Sequence, residues 1–154
     1  SKGNHDYWWT TMSKMNAFLT ENNFDSIKIL QNNTFMIDET AICATRGWII
    51  PPSSSCGEDA KIFEREKQRL ILSLENAKAQ HANNIICALH YPPVDDLDRR
   101  DFIDIMKAYG VSECIYGHLH AGAHKGALVG DYMGIKLRLV SCDYLNFIPI
   151  LLKR

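Results

Sequence analysis

Three short stretches hold the residue types that bind metal ions and move protons: Gly3-Asn4-His5-Asp6, the His90 that ends "IICALH", and Gly117-His118-Leu119-His120. Imidazole is the commonest metal ligand, and an amide oxygen or carboxylate beside it makes a mixed nitrogen and oxygen donor set. His118 and His120 stand two positions apart, which in extended chain turns both rings to the same side. Gathered at one place, such groups could hold a divalent ion that activates water or polarises a phosphoryl oxygen. Each histidine also has a plainer reading: a ring at a strand end is often a hydrogen-bonded surface residue, and His90 alone would be read so.

The elements that must carry these residues follow from hydrophobic periodicity. "NIICAL" (84–89) reads as a strand with apolar side chains on both faces, and "ECIY" (113–116) as the next. Between them, "DFIDIMKAYG" reads as a helix closed by Gly110. A longer helix is predicted from about Asp59 to about Gln80, with Phe63, Leu70, Leu74 and Ala77 on one face and an acidic start suited to the helix dipole. Strand, helix and strand in alternation make a βα layer, and such layers gather ligands at the carboxyl edge of the strands. His90 ends one strand there, and His118 and His120 follow the other.

Upstream, Met12, Met15, Phe18 and Leu19 lie at helical spacing behind Thr10 or Thr11 as N-cap. Short β runs are predicted at 27–30, 34–37 and 41–45, with a hairpin turn at Asn32-Asn33. The segment 127–144 reads as antiparallel strands that turn near Tyr132-Met133-Gly134, and 146–152 as a further strand.

Composition narrows the function classes. With 17 Lys and Arg against 18 Asp and Glu, the net charge of −1 gives no electrostatic footprint for nucleic acid or an anionic membrane. The 154 residues suit one domain. The five cysteines are scattered, without a C-x-x-C pair, and read as reduced thiols of a cytoplasmic protein. No signal peptide and no apolar run of the ~18 residues needed for a membrane span is seen.

The combination "GNHD", a histidine after a buried strand, then "GHLH" resembles the calcineurin-like metallophosphoesterase superfamily. Its signature runs D-x-H, G-D-x-x-D, G-N-H-[DE], H and G-H-x-H, and the last three elements stand here in order across positions 3–120. "KGNHDYWW" and "TRGW" are similar to bacterial predicted phosphohydrolases of that superfamily. The resemblance implies an α+β fold, a four-layer α/β/β/α sandwich of two mixed β-sheets, here without its N-terminal strands. It implies hydrolysis of a phosphomonoester or phosphodiester, on a small or macromolecular phosphorylated substrate. Two divalent transition metal ions (Mn, Fe, Zn or Co, with Mn favoured) would be the cofactors.

The implied ligands of one ion are Asn4, His90 and His118, and His120 is implied as a ligand of the second. His5 would contact the phosphate and protonate the leaving oxygen, with Asp6 holding its ring. Gly3 would let the backbone turn tightly at a strand end, where a Cβ could be in the way. The D-x-H and G-D-x-x-D elements have no counterpart, so the chain is expected to be the C-terminal portion of a longer polypeptide. The absent part would span roughly two βα units, and the piece alone would be inactive or impaired. A naturally short, inactive scaffold is the alternative to truncation.

Two rival functions stay open: a non-catalytic interaction module on the same fold, and a mononuclear zinc hydrolase using His90, His118 and His120. Further residues carry double readings. Arg46 either reaches the rim to grip phosphate oxygens or is a surface arginine. Trp8, Trp9 and Trp48 either wall a pocket for an aromatic group or pack the core. His124 suits a supporting part, and Tyr91 a turn.

Overall fold

The computed structural model describes residues 1–6, 10–52, 54, 56–95 and 97–152. Six strands build one mixed sheet in the order β1-β2-β3-β4-β6-β5. They are β1 (Thr34–Ile37), β2 (Thr40–Ala44), β3 (Asn84–Leu89), β4 (Glu113–Tyr116), β5 (Gly130–Tyr132) and β6 (Ile135–Leu139). β2, β3, β4 and β6 run parallel, and the two edge strands are antiparallel to their neighbours. Three α-helices join them: α1 (Met12–Glu21), α2 (Glu58–Ala79) and α3 (Asp101–Ala108).

The crossovers use α2 between β2 and β3, and α3 between β3 and β4. Both helices cover the same sheet face, because Leu70 and Leu74 of α2 and Phe102 and Met106 of α3 join one core with Cys43, Cys87, Cys114 and Leu137. Phe63 and Phe102 meet edge to face with centroids 5.4 Å apart, which ties the helices to each other. Each fully buried leucine contributes about 1.5–3 kcal/mol of transfer free energy. Cys43, Cys87 and Cys114 stand opposite one another across three strands, buried and free, as small side chains under the helices. Strand alternation turns Ile42, Ile86, Ala88 and Ile115 to the opposite face.

The start of α1 follows its predicted cap: the Thr11 hydroxyl accepts from the Lys14 amide at 3.4 Å. α3 ends as Gly110 enters the left-handed region at φ 75. The predicted turn near Tyr132 forms, with Met133 and Gly134 both at positive φ between β5 and β6.

Two strands predicted from apolar runs are absent. Residues 27–30 form no strand, and Asn32-Asn33 does not close a hairpin. Asn33 instead folds back, its Oδ1 accepting from the Gln31 amide at 2.6 Å, and the Asn32 amide donates to the Ala44 carbonyl at 3.0 Å. The hairpin turns two residues after Met36, at Asp38-Glu39, with Asp38 at φ 52. Residues 146–152 form no strand either. Asn146 and Phe147 are both left-handed, and Pro149 has no amide to donate, so no ladder can run through them. The described strands all join one sheet, so the second sheet of the expected sandwich has no strands among them. Among the described residues, no helix is long and apolar enough to cross a membrane.

Candidate functional site

Register fixes where the histidines go. Ala44 lies opposite Ala88, and Leu89 opposite Tyr116, so the chain leaves β2, β3 and β4 at one common edge. The His90 and Tyr91 amides donate to the Arg46 carbonyl at 2.9 and 3.0 Å, and the Gly117 amide donates to the His90 carbonyl at 3.2 Å. These bonds carry the ladder past the strand ends and hold His90 between two neighbours. The opening motif comes to the same edge from a distant part of the chain. Asn4–Asp6 is a single 3-10 turn, closed by the Gly3 amide donating to Asp6 Oδ2 at 2.7 Å.

At the centre, His90 Nε2 lies 2.7 Å from Asn4 Oδ1 and 3.1 Å from His118 Nδ1. A ring nitrogen offers one proton or one in-plane lone pair, so it makes one full hydrogen bond while two neighbours stand within reach. A cation there would give each of the three lone pairs a partner. Donors in adjacent positions around an ion at ~2.1 Å stand about 3 Å apart, which matches these two spacings. Among the described residues, no three His, Cys, Asp or Glu side chains form a metal-holding group. The donor set is two imidazoles and an amide oxygen, neutral throughout, and suited to a first-row divalent ion.

The cradle leaves no spare room. A Cβ built on Gly3 would lie 2.8 Å from His90 Cε1 and 2.9 Å from its Nδ1. Gly3→Ala is therefore expected to push the His90 ring out of line and weaken divalent-ion binding by about 10–100-fold, the range seen when supports of a metal ligand are lost. Calorimetric titration with Mn²⁺ checks this, beside a thermal melt showing that the variant folds.

Burial dominates the electrostatics. It lowers the His90 pKa to about 4, with the charges of His118, Arg46 and His120 adding and Asp6 opposing. His118 is lowered by burial first, then by His120 and His5. Neutral imidazoles at ordinary pH leave no proton to be displaced by an ion. An unfolded histidine titrates near 6.5, the folded His90 near 4, so the unfolded chain takes up more protons between these values. Without metal, stability is held above about pH 6.5 and falls as the pH drops toward about 4. Thermal melts in chelator across that window check this, and His90→Gln should flatten the slope.

The chain has no counterpart in the comparisons: it matches no family model, no curated protein and no solved structure.

Of the predicted ligands, Asn4 and His118 stand within hydrogen-bond distance of His90, and His120 lies near enough for its charge to act on His90 and His118 while its Nδ1 turns to Asp143. The spacing rule for His118 and His120 assumes extended chain, and His118 sits at φ 69, so that premise does not hold there. The His120 Nδ1 faces Asp143 Oδ1 at 2.8 Å, and its side chain is 58 % exposed. Asp143 also accepts from the Ala121 amide at 2.8 Å and has His124 Nε2 at 3.2 Å from Oδ2. The Ala121 amide first, then His120 and His124, hold its carboxyl well below the usual range.

His5 is exposed at the rim, close enough for its charge to act on His118. Arg46 is not a surface residue: it is 7 % exposed, bridges to Glu66 of α2 at 3.3 Å and covers the Trp48 ring at 4.1 Å. Trp48 lines a cleft of about 250 Å³ with Tyr91, Val94, Leu119 and His118. Its indole donates to Asp59 Oδ1 at 3.1 Å, which fixes the wall. The other pocket candidates, Trp8 and Trp9, lie outside the described residues.

Two contributors carry no motif. Tyr91, read as a turn residue, is buried with its ring 4.3 Å from that of His118 and 5.1 Å from that of His90. An aromatic next to a strand-end histidine was the available signal. Asp143 gave none, since 23 residues separate it from His120.

Proposed function

We propose that this chain hydrolyses a phosphate ester with the help of divalent ions held at the carboxyl edge of its sheet. The observation that carries the reading is the convergence of Asn4 Oδ1, His90 Nε2 and His118 Nδ1 within 2.7 and 3.1 Å. Asn4, His90 and His118 would hold one ion, and His120 a second, with Mn favoured among Mn, Fe, Zn and Co. When bound, the ions supply Lewis-acid polarisation of the phosphoryl group and an activated water.

The chain's own residues do the rest. Asn4 brings no charge, so the positive field of the ion stays available to an anionic substrate. His5, exposed beside His118, donates a proton to the oxygen of the leaving alcohol. Asp6 binds the Gly3 amide, so it fixes the turn that carries both Asn4 and His5. The cleft beside His118 receives the leaving group: among the described residues its lining carboxylate, Asp95, is paired to Arg99 at 2.5 Å, and its other walls are mostly apolar or aromatic. Arg46 contributes field near the phosphate from its buried position.

The finer architecture belongs to the same proposal. A four-layer sandwich needs an apolar sheet face turned away from α2 and α3, and Ile42, Ile86, Ala88 and Ile115 supply one. The family resemblance of "GNHD", His90 and "GHLH" supports the reaction class.

The test is turnover of p-nitrophenyl phosphate and bis-p-nitrophenyl phosphate with Mn²⁺, beside a His5→Ala variant. Metal-dependent turnover that falls by about 10²–10⁴-fold in His5→Ala supports the assignment. Turnover indifferent to His5 removes it as the acid. No turnover with Mn²⁺, Fe²⁺, Zn²⁺ or Co²⁺ overturns the enzyme reading and leaves an interaction module.

A further inference from the structure

Asp143 belongs to none of the motifs, yet the fold returns it to the loop behind β4. The chain leaves β6 at Leu139, and the Val140 amide donates to the Tyr116 carbonyl at 2.8 Å, which keeps the two strand exits side by side. Three residues on, the Asp143 carboxylate reaches His120 with one oxygen and the Ala121 amide with the other, each at 2.8 Å. His124 Nε2 stands 3.2 Å from the second oxygen.

We propose that Asp143 is the positioning residue of His120: it fixes the ring as the Nδ1–H tautomer and turns the Nε2 lone pair outward. The inference rests on the phosphoesterase reading for what that lone pair serves. A carboxylate facing Nδ1 accepts a proton there, which leaves Nε2 as the ring's acceptor. Histidines that bind metals almost always have their other nitrogen tied in this way.

Packing gives the ring little hold. At 58 % side-chain exposure, His120 has room to turn about its χ angles, so a directed hydrogen bond must orient it. The bond to the Ala121 amide completes the clamp. Ala121 lies in the left-handed region at φ 49, directly after His120, and Asp143 anchors the backbone at that bend. One carboxylate therefore holds both the ring and the peptide that carries it. His90 and His118 need no such help, being half-buried and held by each other and Tyr91.

The experiment reads ring ¹⁵N shifts of the histidines in metal-free protein, for wild type, Asp143→Ala, Asp143→Asn and Asp143→Glu. In wild type, His120 should show the Nδ1–H pattern. Asp143→Ala removes both acceptor oxygens and should move His120 to a tautomer mixture. Asp143→Asn leaves one acceptor oxygen for which the ring and the Ala121 amide compete, so an intermediate shift is expected, and Asp143→Glu should restore part of the pattern. The His90 and His118 signals should stay in place, which shows that the fold is intact. Unchanged His120 shifts in Asp143→Ala would overturn the proposal. Titration with Mn²⁺ adds the functional arm: affinity should fall about 10–100-fold in Asp143→Ala. A tautomer change in a protein that binds no ion at all would uphold Asp143 as the positioning group and sink the phosphoesterase reading.

Discussion

Replacing His90 with alanine is expected to abolish divalent-ion binding and lower phosphoester turnover by a factor on the order of 10³ or more. His90 is the middle of the three donors, 2.7 Å from Asn4 and 3.1 Å from His118. Its loss leaves two donors that no longer share a neighbour. An ion centre lowers a hydrolytic barrier by several kcal/mol, and each ~1.4 kcal/mol is tenfold in rate. The same change should alter the metal-free stability by no more than about 1–2 kcal/mol. The variant gives up ring contacts with His118 and Tyr91, each worth about 0.5–1.5 kcal/mol. It also relieves a nitrogen that cannot satisfy both neighbours. Calorimetric titration, turnover and chemical denaturation on the same preparation separate the two effects. Wild-type ion affinity in His90→Ala would mean that the three donors hold no ion.

Much of this arrangement was legible in the chain before folding, because it depends on local pattern. The β3 and β4 runs, the apolar stripe of α2 and the Gly110 stop are set by periodicity and backbone preference, and each formed close to its expected bounds. Once β3 and β4 lie parallel, His90 and His118 must share an edge. What could not be read were features created by turns and by distant returns of the chain. Apolar content alone made 27–30 and 146–152 look like strands, but a strand needs a neighbour, and the left-handed residues at Asn146 and Phe147 withdraw 146–152 from any ladder. His120 shows the same limit at the site. Its two-residue spacing from His118 was read as extended chain, and the positive φ at His118 shows that the chain is not extended there. Asp143 became visible only when β6 lay beside β4.

Glu66 reveals a further dependence of the site on the core, and Glu66→Ala is expected to cost about 3–5 kcal/mol of folding stability, the range for breaking a buried ion pair. Glu66 is fully buried in α2, where its carboxylate accepts from Thr45 Oγ1 at 2.5 Å, Arg69 Nη1 at 2.7 Å and Arg46 Nη2 at 3.3 Å. Alanine would remove the anion from beside the Arg46 guanidinium, itself 7 % exposed, and leave a cavity where its carboxylate met Thr45 and Arg69. Glu66→Gln keeps the shape and one acceptor oxygen while losing the charge, so an intermediate loss of about 1–3 kcal/mol is expected. Replacing both partners with apolar groups, as in Glu66→Leu with Arg46→Met, should recover much of the loss, because buried pairs give little net stability over well-packed hydrophobic residues. Urea denaturation of the four proteins checks the order. A cost below about 1 kcal/mol for Glu66→Ala would show that water reaches the pair and screens it. The consequence for function runs through the backbone. The Arg46 carbonyl takes the amides of both His90 and Tyr91, so the residue that Glu66 anchors is also the one that holds the central donor in register. In the Leu/Met pair, divalent-ion affinity is expected to follow stability: if packing is restored around position 46, the carbonyl stays in place and affinity should match that of the wild type.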